Sequence, residues 1–366
     1  MAESSNIDSD LIDRFLDDFS QLPRSHVAEV TREYLLSDRS RADASVEAKI
    51  SDRQLRLLIE VKGDVYPRDA REAIWQLRSY LERDGADRPN RPNVPMLLAK
   101  SISNGARKLL QEQQVAYYDL SGSLHICVEG LLILIDKPKT RTAKKRDINL
   151  FRGSRARVLH ALFSRVGEWV TGAEIAQESG VSTATVSQTF KELERRDWLD
   201  AKGSGPAKRR RLSSPADLLD SWREAILSGP TVKPERYYVP RKKPEELSLE
   251  LVHAASEENA EIELTGQFAA QAYAPFLSSV SEVSARIPDK RAAERVLNQL
   301  GARKVSEGAN LFLLPCEKSG YPTRLENEVN GLPLASALQV YLDLLKEHGR
   351  SKEMADHLRS QELVWR

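Results

Sequence analysis

Residues 42–63 read ADASVEAKISDRQLRLLIEVKG. Ala42, Ala44, Val46, Ala48 and Ile50 alternate with Asp43, Ser45, Glu47 and Lys49, the period-two pattern of a strand. Ser51-Asp52-Arg53-Gln54 is a polar turn, and Leu55 to Lys62, rich in Leu, Ile and Val, is a second strand. A turn centred on Asp52-Arg53 pairs Ile50 with Leu55, which sets Asp43 opposite Lys62 and Ser45 opposite Glu60. Directly opposed residues share a face. One face of this hairpin is then wholly apolar: Ala44, Val46, Ala48 and Ile50 against Leu55, Leu57, Ile59 and Val61. The other face gathers Asp43, Glu60 and Lys62 at one end.

Two carboxylates beside an ammonium, on a sheet whose back is core, make a site for a hard cation. Mg²⁺ takes oxygen ligands and usually one or two carboxylates plus water and phosphate. Asp43, Glu60 and the Val61 carbonyl are the candidate ligands, and Lys62 is the candidate for orienting an attacking water. Asp43 with Glu60-Val61-Lys62 resembles the PD-(D/E)xK motif of restriction-endonuclease-like domains. The next helix, Arg68 to Arg83, carries Gln76 and Tyr80 in a Gln-x-x-x-Tyr arrangement, which some nucleases of that superfamily place beside the metal. The resemblance implies a catalytic set of Asp43, Glu60, Lys62, Gln76 and Tyr80, with Mg²⁺ as cofactor if the site is active. The other reading of the same residues is a cross-strand Asp43–Lys62 ion pair with Glu60 in solvent.

The chain has 366 residues, enough for two or three domains. It is 40% hydrophobic and 30% charged, an ordinary composition for a protein with sizeable cores. A net charge of +1 means that any nucleic-acid signal must lie in how charge is distributed. Cys127 and Cys316 stand in apolar stretches and read as buried free thiols, with neither a disulfide nor a metal pair expected. The six histidines show no ligand spacing, so zinc is not expected. The longest apolar run, Leu131 to Ile135, is too short to span a bilayer, and no secretory leader is read at the start. No membrane partner is expected, and the protein is placed in the cytoplasm or at the nucleoid.

The expected fold class is α/β (α+β), with an endonuclease-like αβββαβ domain over residues 1–136. A helix at Asp10–Leu22 buries Leu11, Ile12, Phe15, Leu16 and Phe19. Val27 to Leu36 is open between helix and strand. After the hairpin and the Gln76 helix come a strand at Val94–Ala99, a helix at Ile102–Gln114, and strands at Val115–Tyr118, Leu124–Val128 and Leu131–Ile135. Tyr118-Asp-Leu-Ser-Gly122 reads as a tight turn. Residues 137–150 form a basic linker in which Lys144, Lys145 and Arg146 are candidate phosphate contacts.

Residues 151–227 read as a winged helix–turn–helix. A first helix spans Ala156 to Val166. Thr171-Gly-Ala-Glu174 is a capping box for a helix that ends at Gly180. Ser182 then caps a second helix with Val186, Phe190 and Leu193 inward, which is helix–turn–helix spacing. Its outward start holds Thr183, Thr185, Ser187, Gln188 and Lys191, short polar groups suited to base edges. Gly203-Ser-Gly-Pro206 is a wing tip, and Lys208-Arg209-Arg210-Arg211 returns on the second wing strand, placed for phosphate or the minor groove. Double-stranded DNA is the expected partner, and a homodimer the expected assembly.

Residues 228–246, with Pro230, Pro234, Pro240 and Pro244, read as a second linker. A C-terminal α/β domain over 247–366 follows, with strands near Glu261–Leu264, Glu282–Ile287 and Asn310–Leu314. Its helices fall near Phe268–Leu277, Arg291–Leu300, Ala335–Leu345 and Ser351–Leu358. Leu264-Thr-Gly-Gln-Phe-Ala-Ala270, the Leu338-Gln-Val-Tyr-Leu-Asp-Leu-Leu345 helix with Gly349-Arg350, and Tyr118-Asp-Leu-Ser-Gly122 upstream resemble AbiEi-type antitoxin and transcriptional-regulator proteins of type IV toxin–antitoxin systems. That resemblance implies a DNA-binding protein of a defence or stress locus that represses its own operon and counters a nucleotidyltransferase-like toxin. The front domain departs from it, because simple members begin with the winged helix. The leading expectation is a winged-helix regulator or antitoxin with a nuclease-like front domain. Its rivals are an active metal-dependent DNA-cleaving enzyme of phage defence and an interaction scaffold on a dead nuclease fold.

Overall fold

The computed structural model describes residues 2–36, 40–84, 91–137, 150–230, 233–240, 243–316, 328–329, 331–347 and 349–365, without the side chains of residues 2–7 and 328. Lys144, Lys145 and Arg146 of the expected basic linker lie outside the described residues. Two compact units divide the chain: residues 1–144 with 192–197, and residues 145–191 with 198–366.

The first unit runs α1 (Ala2–Ser20), β1 (Ser25–Leu35), β2 (Arg41–Ile50), β3 (Arg53–Val65), α2 (Pro67–Asp84), β4 (Asn93–Ile102), α3 (Asn104–Glu112), β5 (Ala116–Asp119), β6 (Leu124–Val128) and β7 (Leu131–Ile135). Its strands form one seven-stranded sheet in sequence order. The first three pair antiparallel, β3–β4–β5 parallel, and β5–β6–β7 antiparallel again. Parallel neighbours need crossover connections, and α2 and α3 supply them. The result is the expected αβββαβ order, followed by one further helix and three further strands. The stretch left open at Val27–Leu36 is strand β1.

Both sides of the sheet are covered. Leu11, Ile12, Phe15 and Phe19 of α1 pack on Ala44, Val46, Ala48 and Ile50 of β2 and on Leu55, Leu57, Ile59 and Val61 of β3. Leu58 of β3 faces a second core with Ala73, Ile74, Leu77 and Tyr80 of α2 and with Ala106 and Leu110 of α3. The expected apolar face therefore stands. The register differs: Ile50 pairs with Arg53 and Ala44 with Ile59, two residues from the expected pairing. The turn is tighter because Ser51 adopts a positive φ of 51°, the backbone that a two-residue hairpin turn needs. A slip of two leaves each side chain on its own face, whereas a slip of one would have exchanged the faces.

In the second unit the winged-helix elements are α4 (Gly153–Phe163), β8 (Val170–Thr171), α5 (Gly172–Ser179), α6 (Thr183–Arg195), β9 (Leu199–Lys202), β10 (Arg209–Leu212) and α7 (Pro215–Ser228). Beyond them lie β11 (Glu235–Tyr238), α8 (Pro244–Glu257), β12 (Glu263–Thr265), α9 (Gly266–Tyr273), β13 (Val283–Arg286), α10 (Lys290–Gln299), β14 (Arg303–Lys304), β15 (Leu311–Leu313), β16 (Glu328–Val329), β17 (Leu332–Pro333), α11 (Ala337–Leu344) and α12 (Ser351–Glu362). A five-stranded sheet has the order β12-β13-β15-β11-β14.

Three expectations change here. The proline-rich stretch 228–246 is not merely a linker, because β11 lies inside it and pairs with both β15 and β14. Its prolines flank the strand rather than interrupt it, so no ladder donor is lost. Helices α7 and α8, which the sequence reading passed over, both start at a proline, where the missing N–H is not needed. Cys127 is exposed on β6, not buried, and Cys316 is half-buried; both are free thiols.

His160 of α4 is 4% exposed and stands edge-on to Trp222, ring centroids 5.1 Å apart. Burial depresses its pKa to about 4, with Asp343 opposing and Arg286 reinforcing the shift. The unfolded chain protonates this ring near 6.5, so stability is full above that pH and declines as pH falls toward 4. Between pH 7 and 4 the protein should lose up to about 3 kcal/mol that His160→Gln does not lose. Urea midpoints of the two proteins measured across that window check this, and parallel curves would refute it.

Candidate functional site

The pairing of β2 with β3 stops at Ala44–Ile59. Past that point the Val61 N–H donates to Asp43 Oδ2 at 2.6 Å, so a side chain takes over from the ladder. Glu60 is 5% exposed and both of its oxygens are engaged: Lys62 Nζ donates to Oε1 at 2.6 Å and Tyr80 OH to Oε2 at 3.1 Å. Lys62 Nζ also donates to Gln76 Oε1 at 3.2 Å, and Gln76 Nε2 donates to the Tyr80 hydroxyl. Gln76 and Tyr80 stand four residues apart on α2, which puts them on one face of the helix. The five residues singled out in the sequence thus meet in one cluster at the end of β3. The simple Asp43–Lys62 pair is not what forms: the lysine pairs with Glu60, and Glu60 is buried rather than solvated.

Charge is in excess on the acidic side. Burial, the Glu60 carboxylate and Asp8 of α1 push the Asp43 pKa up to about 6, against the Val61 N–H and Lys62, which lower it. Burial and the Glu60 charge push the Tyr80 hydroxyl up to about 12, so it remains a donor at neutral pH. Asp8 is the contributor that sequence reasoning missed, since only the fold brings α1 to the end of the hairpin. Among the described residues no three of His, Cys, Asp and Glu converge to hold a metal by themselves. Two carboxylates and the Val61 carbonyl suit a Mg²⁺ that keeps most of its waters. Such an ion would neutralise the charge that raises Asp43.

Tyr118-Asp-Leu-Ser-Gly122 is the expected turn. Gly122 has a φ of 83°, its N–H meets the Asp119 carbonyl, and the Asp119 carboxylate accepts from Ser121 N–H and from Arg107.

In the winged helix, Thr171 and Glu174 form the reciprocal capping box, and Gly180 ends α5 in the left-handed conformation. The Thr185 N–H donates to Ser182 Oγ at 3.3 Å, and Val186, Phe190 and Leu193 are buried. Thr183, Ser187, Gln188 and Lys191 are exposed, while Thr185 is half-buried with its hydroxyl 3.0 Å from that of Ser182. The basic run of the wing divides. Arg209 is exposed, Arg210 lies 5.1 Å from the Phe190 ring centre, and Arg211 pairs with Asp200 at 2.9 Å over the Trp169 ring. Lys202 pairs in register with Arg209 and sits 4.0 Å from the Trp169 ring centre. The sequence reading missed it, although a lysine in the outgoing wing strand was the available signal.

Residues 152–210 match the MarR family. They form a winged-helix domain of that family. The match runs from the residue before α4 into the returning strand of the wing, so it takes in α6 but neither the front sheet nor the C-terminal sheet. No curated protein matches the sequence. Among solved structures the chain is similar to a repair endonuclease from Pyrococcus abyssi, at 17% identity and a TM-score of 0.22, over 31% of this chain and 46% of that one. The chain thus spans less than half the length of that structure. No described helix is long and apolar enough to cross a membrane.

Lys62→Met leaves the Glu60 carboxylate buried without its cation. Lys62 is about one-third exposed, so solvent softens the loss to about 1–3 kcal/mol, below the cost of breaking a fully buried pair. Glu60→Gln in the same chain should restore part of it. Urea unfolding in EDTA of the two single mutants and the double mutant measures the coupling, and additive losses would mean the pair contributes nothing.

Proposed function

We propose that this protein is a prokaryotic regulator that addresses double-stranded DNA through its winged helix. The observation that carries the reading is the exposed polar start of α6, with Thr183, Ser187, Gln188 and Lys191, in a domain whose wing exposes Lys202 and Arg209. Short hydroxyls and an amide at the start of a recognition helix read base edges, whereas a cationic wing meets phosphate. A second copy of the chain would let one assembly read two half-sites. Resemblance to AbiEi-type regulators supports the finer reading of an antitoxin in a defence locus, with a nucleotidyltransferase-like toxin as partner. Co-purification of the neighbouring gene product tests that part separately.

A second reading, favoured by the Asp43–Glu60–Lys62–Gln76–Tyr80 cluster, is Mg²⁺-dependent DNA cleavage by the front unit. Asp43 and Glu60 would hold the ion, with the Val61 carbonyl. Bound there, Mg²⁺ supplies Lewis-acid activation of water and charge neutralisation at phosphate. Lys62 Nζ, steered by Glu60 and Gln76, is the group that orients the water, and the Tyr80 hydroxyl fixes the Glu60 rotamer.

Three outcomes are expected. Arg209→Ala should flatten the slope of log affinity against log salt by about 0.9, as loss of one phosphate contact does. Arg211→Ala should do less, because Asp200 already neutralises that residue. Gel shifts across a salt series decide, and an unchanged slope for Arg209→Ala would exclude it from the interface. Gln188→Ala should cost about 1–3 kcal/mol at one matched base pair and little on random DNA. Equal weakening on both would assign it to the backbone. In a plasmid-nicking assay with Mg²⁺ or Mn²⁺, Glu60→Gln and Lys62→Ala should each abolish cleavage and leave gel shifts intact. If the unmutated protein binds DNA but never nicks it, the regulator reading stands alone.

A further inference from the structure

A cleft of about 1340 Å³ opens in the second unit, and none of the residues assigned above to DNA or metal lines it. It exceeds the roughly 300–1,000 Å³ of usual small-molecule sites. Parts of its wall come from the stretches that carried the sequence resemblance, namely Gln267 of α9 and Gln339 and Asp343 of α11. Neither proposed function uses those residues.

Two lining residues, Ser284 and Glu347, meet at Gly266. Its φ is 66°, and a Cβ there would stand 2.6 Å from Glu347 Oε1 and 2.9 Å from Ser284 Oγ. The bare backbone lets a carboxylate and a hydroxyl both approach the start of α9. Thr265 does not cap that helix, because its hydroxyl donates to Asp343 at 2.5 Å. Ser284 lines the cleft, is 4% exposed, and among the described residues its hydroxyl has no hydrogen-bond partner. A hydroxyl on the cleft wall without a protein partner is open to a ligand group. Among the described residues, the Glu347 carboxylate receives one bond, from the Ser351 hydroxyl at 3.3 Å. Burial, with Asp343 and Glu282 nearby, pushes its pKa up to about 7, so near neutrality it can donate as well as accept.

The remaining lining has different chemistry. Phe312 of β15 is half-buried on the wall, with Phe151 and Trp222 stacked at 5.6 Å elsewhere in the lining. Arg152 and Lys233 line the cleft as exposed cations, so they form its rim. A ligand matching this lining has hydrogen-bonding edges, a flat ring and negative charge.

We propose that this cleft binds a nucleotide, its base edge at Ser284 and Glu347, its ring on Phe312, and its phosphate at Arg152 and Lys233. The large volume leaves room for a di- or triphosphate. This assignment is independent of the DNA and nuclease readings, since it uses neither α6 nor the Asp43 cluster.

Calorimetry on the full-length protein in EDTA tests it, with ATP, GTP, AMP, adenosine and inorganic phosphate as probes. At least one nucleotide should bind with a Kd at or below about 1 mM, more tightly than adenosine or phosphate. Ser284→Ala should weaken nucleotide and nucleoside alike. Arg152→Glu with Lys233→Glu should weaken the nucleotide about tenfold and leave adenosine unchanged. Both rim residues are exposed, so that variant keeps its core even if Ser284→Ala does not. No heat from any nucleotide, phosphate binding as tightly as nucleotide, or unaltered binding by the rim variant would each overturn the proposal.

Discussion

Burying the Glu60 carboxylate is the constraint on which the front unit depends. It sits on a strand covered on both faces, where an ion without partners would cost several kcal/mol. Its own strand supplies one partner, Lys62, two residues along on the same face. The other, Tyr80, must come from α2, where Gln76 also braces Lys62 and Tyr80, so that helix has to cross directly over the end of β3. A parallel β3–β4 pair requires such a crossover in any case. The topology that packs the sheet and the hydrogen bonds that hold the carboxylate are therefore satisfied by one helix. Asp43 completes the arrangement where the antiparallel ladder ends, by accepting the Val61 N–H.

The winged helix solves a different problem, that of keeping cations exposed on a small three-stranded sheet. Trp169 takes the side chains of Lys202 and Arg211 against its ring, and Phe190 takes Arg210. Such contacts spread long cationic side chains over apolar surface while their heads remain in water. The same contacts distribute the work among four consecutive basic residues. Arg210 and Arg211 brace the wing, and Arg209 is the one left exposed.

The C-terminal sheet is organised by a buried ion pair. Arg286 on β13 grips both oxygens of Asp343 on α11, and Thr265 and Gln339 fill the remaining acceptor positions of that carboxylate. A buried pair contributes little net stability but penalises any arrangement that separates it. Here it ties one helix to one strand, and both residues line the cleft.

The sequence alone determined the alternation of the hairpin, and with it the faces of β2 and β3. Gln76 and Tyr80 were joined to Asp43, Glu60 and Lys62 by resemblance to a nuclease motif. The stripe of α1, the capping box at Thr171–Glu174, the left-handed stop at Gly180 and the shared face of Asp43, Glu60 and Lys62 followed from the sequence itself. These are properties of periods and of single-residue conformational preference, which neighbours along the chain establish. Only the tertiary structure decided the hairpin register, because a positive φ at Ser51 is a choice between turns that the residue type leaves open. It alone brought Asp8 to the cluster, drew β11 out of a proline-rich stretch into a sheet, and turned Lys62 toward Glu60 rather than Asp43. Each of those depends on a distance across the fold, and a distance across the fold is set by packing, which no local pattern encodes.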